Sequence, residues 1–180
     1  VREFIHINKN DSTELNIILQ KFNSIGNRAI NYLTNTIEED NNENNIKNAA
    51  LRLLGYLKNK SAVPKLIEFL KNDDFDIRFY STWALGEIGD ENAFNALLKA
   101  TSDEYLAISD NAFAALFKID KKNKRNDLIN RLRLLINEYS KDSNFSLRNY
   151  GDAIDQLVAL KDPKSIDILL LAITDEDEEL

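Results

Sequence analysis

The chain contains no cysteine, no methionine and a single histidine, His6. Without cysteine it has no disulfide, no thiol nucleophile and no thiolate metal site. A single histidine cannot supply the two histidines of a zinc-binding HExxH helix. The presence of only one histidine also argues against a Ser-His-Asp triad. The sequence also lacks an apolar run near the roughly 18 residues of a membrane span and lacks a signal-peptide pattern. We therefore expect a cytoplasmic protein.

Acidic residues outnumber basic residues, 30 to 23, which gives a formal net charge of −7 and a pI near 4.9. This balance argues against a nucleic-acid partner, because binding to the phosphate backbone needs clustered Lys and Arg. It fits a protein whose partner is basic. The 43% hydrophobic and 29% charged content is ordinary for a globular protein, and 180 residues can bury a sizeable core.

The sequence repeats itself with a period of 31 residues. The run LGYL at residues 54–57 returns as LGEI at residues 85–88. Three later apolar positions correspond at the same offset, with Val63, Leu66 and Ile67 falling on Phe94, Leu97 and Leu98. Each unit has apolar residues at helical spacing on both sides of a turn, which is typical of a pair of helices. A fixed period of this length predicts a helical solenoid.

This pattern divides the chain into an N-terminal cap segment, residues 1–10, and a single repeat domain, residues 11–180. The fourth unit is longer than the others because DKKNKR, at residues 120–125, extends its turn. The domain is predicted to contain about five helical hairpins, at residues 11–40, 44–72, 73–102, 103–141 and 142–175.

The last predicted helix is apolar on more than one side. Its buried stripe is expected to consist of Ile166, Leu169, Leu170 and Ile173, and Ile168 and Leu171 lie outside that stripe. A helix that is apolar all round needs cover on two sides. The cover could be a further repeat, a second copy of the chain bound through this helix, or a partner.

Residues 84–90, ALGEIGD, preceded by DFDIR at residues 74–78, resemble the HEAT-repeat superfamily, in particular its short repeat named after the phycobilisome bilin lyases. The resemblance implies an all-α, right-handed α-solenoid whose first helices line the convex side and whose second helices line the concave side. It also implies that an Asp and an Arg early in the first helix link neighbouring units, and Asp76 and Arg78 match these two positions. Many proteins with this repeat are not lyases, so it does not imply bilin chemistry.

Phe75, Phe79 and Trp83 follow one another at intervals of four residues and form a stripe along one helix, beside Tyr80. At the 31-residue offset Phe79 and Trp83 correspond to Asn48 and Arg52, so the repeat itself does not require aromatic side chains there. One interpretation is an exposed cluster that anchors a partner. The other is packing against the neighbouring helix, which is the usual role of such a stripe.

The predicted concave face is polar and mixed in sign. It holds no pair of carboxylates and no glycine-rich phosphate loop, so we predict no catalytic, cofactor-binding or metal-binding residue. Its candidate partner-binding residues are Lys65, Glu68, Asn95, Lys99 and Arg131, beside Asn92, Asn130 and Asn137.

Aspartates recur at the turns between units, at Asp73, Asp103, Asp142 and Asp175. They could form an acidic ridge that attracts a basic partner. Helix capping explains the same spacing, because a carboxylate accepts hydrogen bonds from the free N–H groups of a helix start.

Taken together, these features predict a protein–protein interaction module rather than an enzyme. It would act as a scaffold or a steric inhibitor, such as an immunity protein or antitoxin that covers a basic partner. The alternative is a bilin lyase or isomerase-like subunit. Nucleic-acid binding through residues 121–125 with Arg131 and Arg133 is a third possibility, which the net charge disfavours.

Overall fold

The computed structural model describes residue 1, residues 12–119 and residue 166. This part of the chain contains seven α-helices and no β-strand. Two short 3-10 turns, Lys60–Ala62 and Glu91–Ala93, each precede a second helix of a hairpin. The helices are α1 (Ser12–Ser24), α2 (Asn27–Glu38), α3 (Asn44–Leu57), α4 (Val63–Phe69), α5 (Phe75–Ile88), α6 (Phe94–Ala100) and α7 (Leu106–Ile119).

Helices α3, α5 and α7 form a continuous stack in which each packs on the next. The shorter helices form a second layer, where α2 packs against α3, α4 against α5 and α6 against α7. This arrangement confirms the predicted fold class, an all-α solenoid of HEAT type. The division of the whole chain into five units stays a prediction, since residues 2–11 and most residues after 119 lie outside the described part.

The repeated glycines explain how closely the stacked helices approach each other. A Cβ atom on Gly86 of α5 would lie 2.8 Å from the Cβ atom and 3.0 Å from the Cα atom of Ala115 in α7. A Cβ atom on Gly55 of α3 would lie 3.1 Å from the Cα atom of Ala84 in α5. The LGxL and LGxI runs therefore mark the contact points between consecutive first helices, where only glycine leaves enough room.

One hydrophobic core runs through the described helices. Its members come from both layers, because each helix contributes the apolar residues of one face. The largest fully buried side chains are Phe94, Phe113, Leu33, Ile37, Leu51, Leu53, Leu54, Leu66, Leu85, Leu97, Ile108 and Leu116.

The start of α5 differs from the sequence prediction by one residue. The cap is Asp74, whose carboxylate accepts hydrogen bonds from the backbone N–H groups of Asp76 at 2.8 Å and Ile77 at 3.3 Å. The prediction of Asp73 as the cap is wrong, because the Asp73 side chain is exposed while Asp74 has the extended backbone of an N-cap. Asp103 does accept from the N–H of Tyr105, at 3.0 Å, ahead of α7.

The predicted burial of Ile166 is also wrong. This residue is helical and 52% of its surface is exposed. The other residues of the predicted apolar stripe, and the turn residues Asp142 and Asp175, lie outside the described part of the chain.

Candidate partner-binding surfaces

Four aromatic rings form a continuous group on α5 and in the turn before α7, which we call the ring cluster: Phe75, Phe79, Tyr80 and Tyr105. The rings of Phe75 and Phe79 stack with their centroids 5.7 Å apart. Phe75 also meets Tyr105 edge-to-face at 5.0 Å, and Phe79 meets Tyr80 at 5.2 Å. The side chains on α5 are half-buried and Tyr105 is 47% exposed, so the cluster lies at the surface.

Trp83, the third residue of the predicted stripe, has a different environment. Its ring packs edge-to-face against Tyr56 of α3, with centroids 5.2 Å apart. It also covers Gly55, since a Cβ atom there would lie 2.5 Å from Cζ3 of Trp83. Trp83 thus packs between neighbouring first helices, whereas the ring cluster continues the stripe towards α7.

The sister positions of the ring cluster are not aromatic. At an offset of 31 residues on either side, Phe79 corresponds to Asn48 in α3 and Asp110 in α7. Phe75 corresponds to Asn44 and Leu106, and Tyr80 to Ala49 and Asn111. Helices α3 and α7 form without rings at these positions, so the cluster is an addition to the packing that the repeat needs.

Arg78 ties the start of α5 to the turn before α7. Its Nε donates to Asp103 at 2.9 Å and its Nη2 donates to the other carboxylate oxygen at 3.3 Å. Nη1 donates to the backbone carbonyls of Asn72 and Asp73 at 2.9 and 3.0 Å. The hydrogen bond to Asp103 raises the pKa of Arg78, although burial opposes the shift. The guanidinium also lies 5.5 Å from the ring centroid of Tyr105.

Asp76 makes the corresponding link in the other direction. Its carboxylate accepts a hydrogen bond of 2.8 Å from the Asn48 side chain in α3. Asp76 therefore contacts the preceding unit and Arg78 the following one. These contacts confirm the linking roles that the family resemblance implied for the two residues.

The second-helix layer carries the charged candidates. Lys65 of α4 donates to Glu68 at 2.8 Å and pairs with Glu38 of α2. Hydrogen bonds to Glu38 and then to Glu68 hold the pKa of Lys65 above its ordinary value. Asn95 and Lys99 are exposed on α6, and Arg131 lies outside the described residues. In its described part, α2, α4 and α6, the layer presents isolated polar groups and one exposed ion-pair network.

An ion-pair network at the ends of the first helices was not anticipated from the sequence. Glu87 of α5 accepts from Lys118 of α7 at 2.6 Å and lies 3.5 Å from Lys58, which follows α3. Partial burial acts to raise the pKa of Glu87, but the hydrogen bond and charge of Lys118 and the charge of Lys58 outweigh it and lower the pKa. The period offered a signal, since Lys118 is 31 residues after Glu87.

A cavity of about 790 Å³ lies beside α1, α2 and the start of α3. The described residues of its lining mix apolar and polar groups, and among them no two carboxylates face one another. Among the described residues there is no group of three or more His, Cys, Asp or Glu that could hold a metal ion. No helix in that part of the chain is long and apolar enough to cross a bilayer. The cavity is lined by Val1, Lys21, Phe22, Ile25, Tyr32, Asn35, Thr36, Glu39, Asn42 and Ile46.

The family match of this chain agrees with its architecture. No curated protein sequence matches the chain. Among solved structures, the chain is similar to the complex of CpcE and CpcF of phycocyanin lyase from Nostoc sp. PCC7120. The two are 16% identical, the match covers 92% of this chain and 91% of that chain, and the TM-score is 0.41, so this likeness carries no inference about function. HEAT repeats match residues 23–116, which is more than half of the 180 residues, and the chain therefore belongs to the HEAT-repeat family.

Proposed function

We propose that the chain is a protein-interaction scaffold that binds its partner through the ring cluster. The observation that carries the proposal is the excess of aromatic surface in the third unit. Phe79 stands where the neighbouring units have Asn48 and Asp110, yet all three first helices have the same length of 14 residues. Aromatic side chains that the fold does not need are the usual anchors of a protein interface.

The rigidity of the solenoid supports this role. The cluster spans α5 and the turn before α7, and the Arg78–Asp103 pair fixes these two elements relative to each other. Side chains that are already ordered lose less conformational entropy on binding. The surface can therefore bind without rearrangement of the backbone.

The chain would act by binding and not by catalysis. With a net charge of −7 it would suit a basic partner and would block or scaffold that partner sterically, as an immunity protein or antitoxin does. The second-helix residues Lys65, Glu68, Asn95 and Lys99 offer another surface for contact, and the experiment has to distinguish the two surfaces.

The test is affinity capture from the source cells at moderate salt with three versions of the protein. One is the native chain. The second carries Phe75→Asn and Phe79→Asn, which introduce the residues of the preceding unit at the same positions. The third carries Asn95→Ala and Lys99→Ala on the second-helix layer. We expect one stoichiometric partner with the native chain and the second-helix variant, and its loss with the ring variant. Retention by the ring variant, or no partner with any version, contradicts the proposal.

A further inference from the structure

We infer that the ring cluster is an arginine-binding surface, which accepts a guanidinium group from a basic segment of the partner. This inference rests on the proposed function and names the chemistry of its contact. It is drawn from three features of the cluster, which are its own internal arginine, the exposed carboxylates around it and the geometry of its rings.

The first feature is Arg78, which shows how this surface holds a guanidinium. Arg78 pairs with both oxygens of Asp103 and lies against the ring of Tyr105, 5.5 Å from its centroid. A cation over an aromatic ring is attracted by the negative charge on the ring face, and a fork of N–H groups matches the two oxygens of a carboxylate. The guanidinium of the inferred ligand would contact a carboxylate and an aromatic ring at the surface, as the buried guanidinium of Arg78 contacts Asp103 and Tyr105.

The second feature is the local charge. Five carboxylates lie within two residues of Phe75 or Tyr105, and Arg78 is the only cation that pairs with any of them in the described structure. Two of the five remain accessible, since Asp73 is exposed and the Glu104 side chain is 77% exposed. The one ion-pair contact of Glu104 within residues 12–119 is that of 3.6 Å with Nη2 of Arg78. Aromatic rings and accessible carboxylates therefore occur in the same two short stretches of the chain, and together they complement an arginine side chain.

The third feature favours arginine over lysine. The rings of Phe75 and Phe79 lie nearly parallel, with an angle of 25° between their planes. A guanidinium is planar, stacks on such rings and is more weakly hydrated than an ammonium group, so it loses less hydration on binding. Lysine would keep the attraction to Asp73 and Glu104 but would lose the stacking and the paired hydrogen bonds.

The experiment is a titration of the full chain with a short peptide of alternating glycine and arginine, followed by NMR of the backbone amides at a salt concentration of about 0.15 M. Matched peptides carry lysine or citrulline in place of arginine. We expect shifts confined to the two stretches that hold the cluster, residues 73–80 and 103–106. The lysine peptide should bind about fivefold more weakly, and the uncharged citrulline peptide more weakly still.

Two variants test the two kinds of group on the surface, the aromatic rings and the accessible carboxylates. Phe79→Asn should weaken the arginine peptide about tenfold, because it removes one ring while keeping a residue that α3 uses at the same position. Glu104→Gln, at an exposed side chain that the fold does not bury, should weaken it about threefold. Glu91→Gln, an exposed change on a distant turn, is the control and should have no effect.

Equal binding of the arginine and lysine peptides, or binding that Phe79→Asn leaves unchanged, overturns the inference. So does an absence of binding by the arginine peptide. The proposed function fails separately, when no cellular partner depends on the rings. A partner that is lost from the ring variant, together with no response to the arginine peptide, keeps the scaffold function and rejects the arginine contact.

Discussion

The stack of α3, α5 and α7 and the hairpin of α1 and α2 belong to one core but are built differently. In the stack, glycines at the helix contacts let the backbones approach, and Gly86 leaves no room for a Cβ atom beside Ala115. Helix α1 contains neither glycine nor alanine, and it packs on α3 with only Ile18 buried. Ile17, Ile25 and Tyr32 of this hairpin and its turn remain about half exposed.

The polar contacts of the stack are also more buried than those of the hairpin. The stack is linked by the buried Arg78 and by the hydrogen bond from Asn48 to Asp76. The hairpin is linked to the next unit by exposed groups, such as Ser61, which donates to the Asn27 side chain at 3.2 Å. Buried charge-assisted hydrogen bonds contribute more than exposed ones. The comparison indicates that the stack is the rigid platform for the ring cluster and that the hairpin is the more easily opened region.

The largest loss of stability should come from adding a side chain at Gly86, where α5 and α7 approach each other closely. Gly86→Val places a branched side chain where a single Cβ atom would already meet the backbone of Ala115 at 3.0 Å, so α5 and α7 must separate. We expect a loss of about 3 kcal/mol in the free energy of unfolding, measured by urea denaturation. Ala107→Val, at an exposed position of α7, controls for the presence of a branched side chain on a helix without a close contact and should cost about 0.5 kcal/mol. Equal losses for the two variants would show that the close contact is unimportant.

The second prediction compares a polar link of the stack with a polar link of the hairpin. Arg78→Gln leaves Asp103 as a nearly buried carboxylate without its cation and should destabilise the chain by roughly 3 kcal/mol. Lys65→Gln breaks the link between α2 and α4, which is exposed to water, and should cause no measurable loss. Both variants are measured by urea denaturation at the same salt concentration. A loss for Lys65→Gln as large as that for Arg78→Gln would reject the distinction between the two regions.

The sequence predicted the elements of the stack better than their contacts. The LGYL and LGEI runs gave the helices and the period, because apolar spacing and glycine placement are local properties. The choice of Asp74 rather than Asp73 as the cap depends on the backbone angles of one residue, which spacing does not reveal. The contact between Phe75 and Tyr105 joins residues 30 positions apart, and only the docking of α7 on α5 brings them together.

The third prediction concerns the hairpin alone. Ile18→Ala removes the one buried apolar side chain of α1 and should cost about 2 kcal/mol, at the low end for such a change because the site is near the surface. Amide hydrogen exchange should accelerate in α1 while the exchange of the α5 amides stays unchanged, since a helix that buries few side chains can open locally. An equal acceleration in α5 would mean that the hairpin and the stack open as one unit.

The fourth prediction compares two helix ends within the stack. Lys58 and Gly89 follow α3 and α5 and both have left-handed backbones, with φ of 50° and 67°. Glycine adopts this conformation without strain, so Lys58→Gly should stabilise the chain by about 1 kcal/mol in thermal and urea denaturation. Lys58→Ala removes the same contact with Glu87 but keeps a Cβ atom, and it should bring no gain. A gain from the alanine variant would point to the lost charge and not to the backbone.

The smallest change in stability should come from replacing Glu87, whose ion pairs with Lys58 and Lys118 join three units of the stack. The pKa of Glu87 is lower in the folded chain than in the unfolded chain, so its contribution to stability is fully present above the unfolded value of about 4.3 and is lost as pH falls through the folded pKa. Glu87→Gln should therefore be less stable than the native chain at pH 7, and the difference should shrink as the pH falls below the unfolded pKa and through the lowered folded pKa. Urea denaturation across this range measures the difference, with Glu91→Gln as the exposed control. The pKa of Asp90 is also lowered, because the backbone N–H of Asn92 donates a hydrogen bond to its carboxylate. Asp90 is present in both variants, so both will still lose stability in acid. A difference that stays constant down to pH 3 would show that the amide differs from the carboxylate in packing and that the ion-pair network does not stabilise the stack.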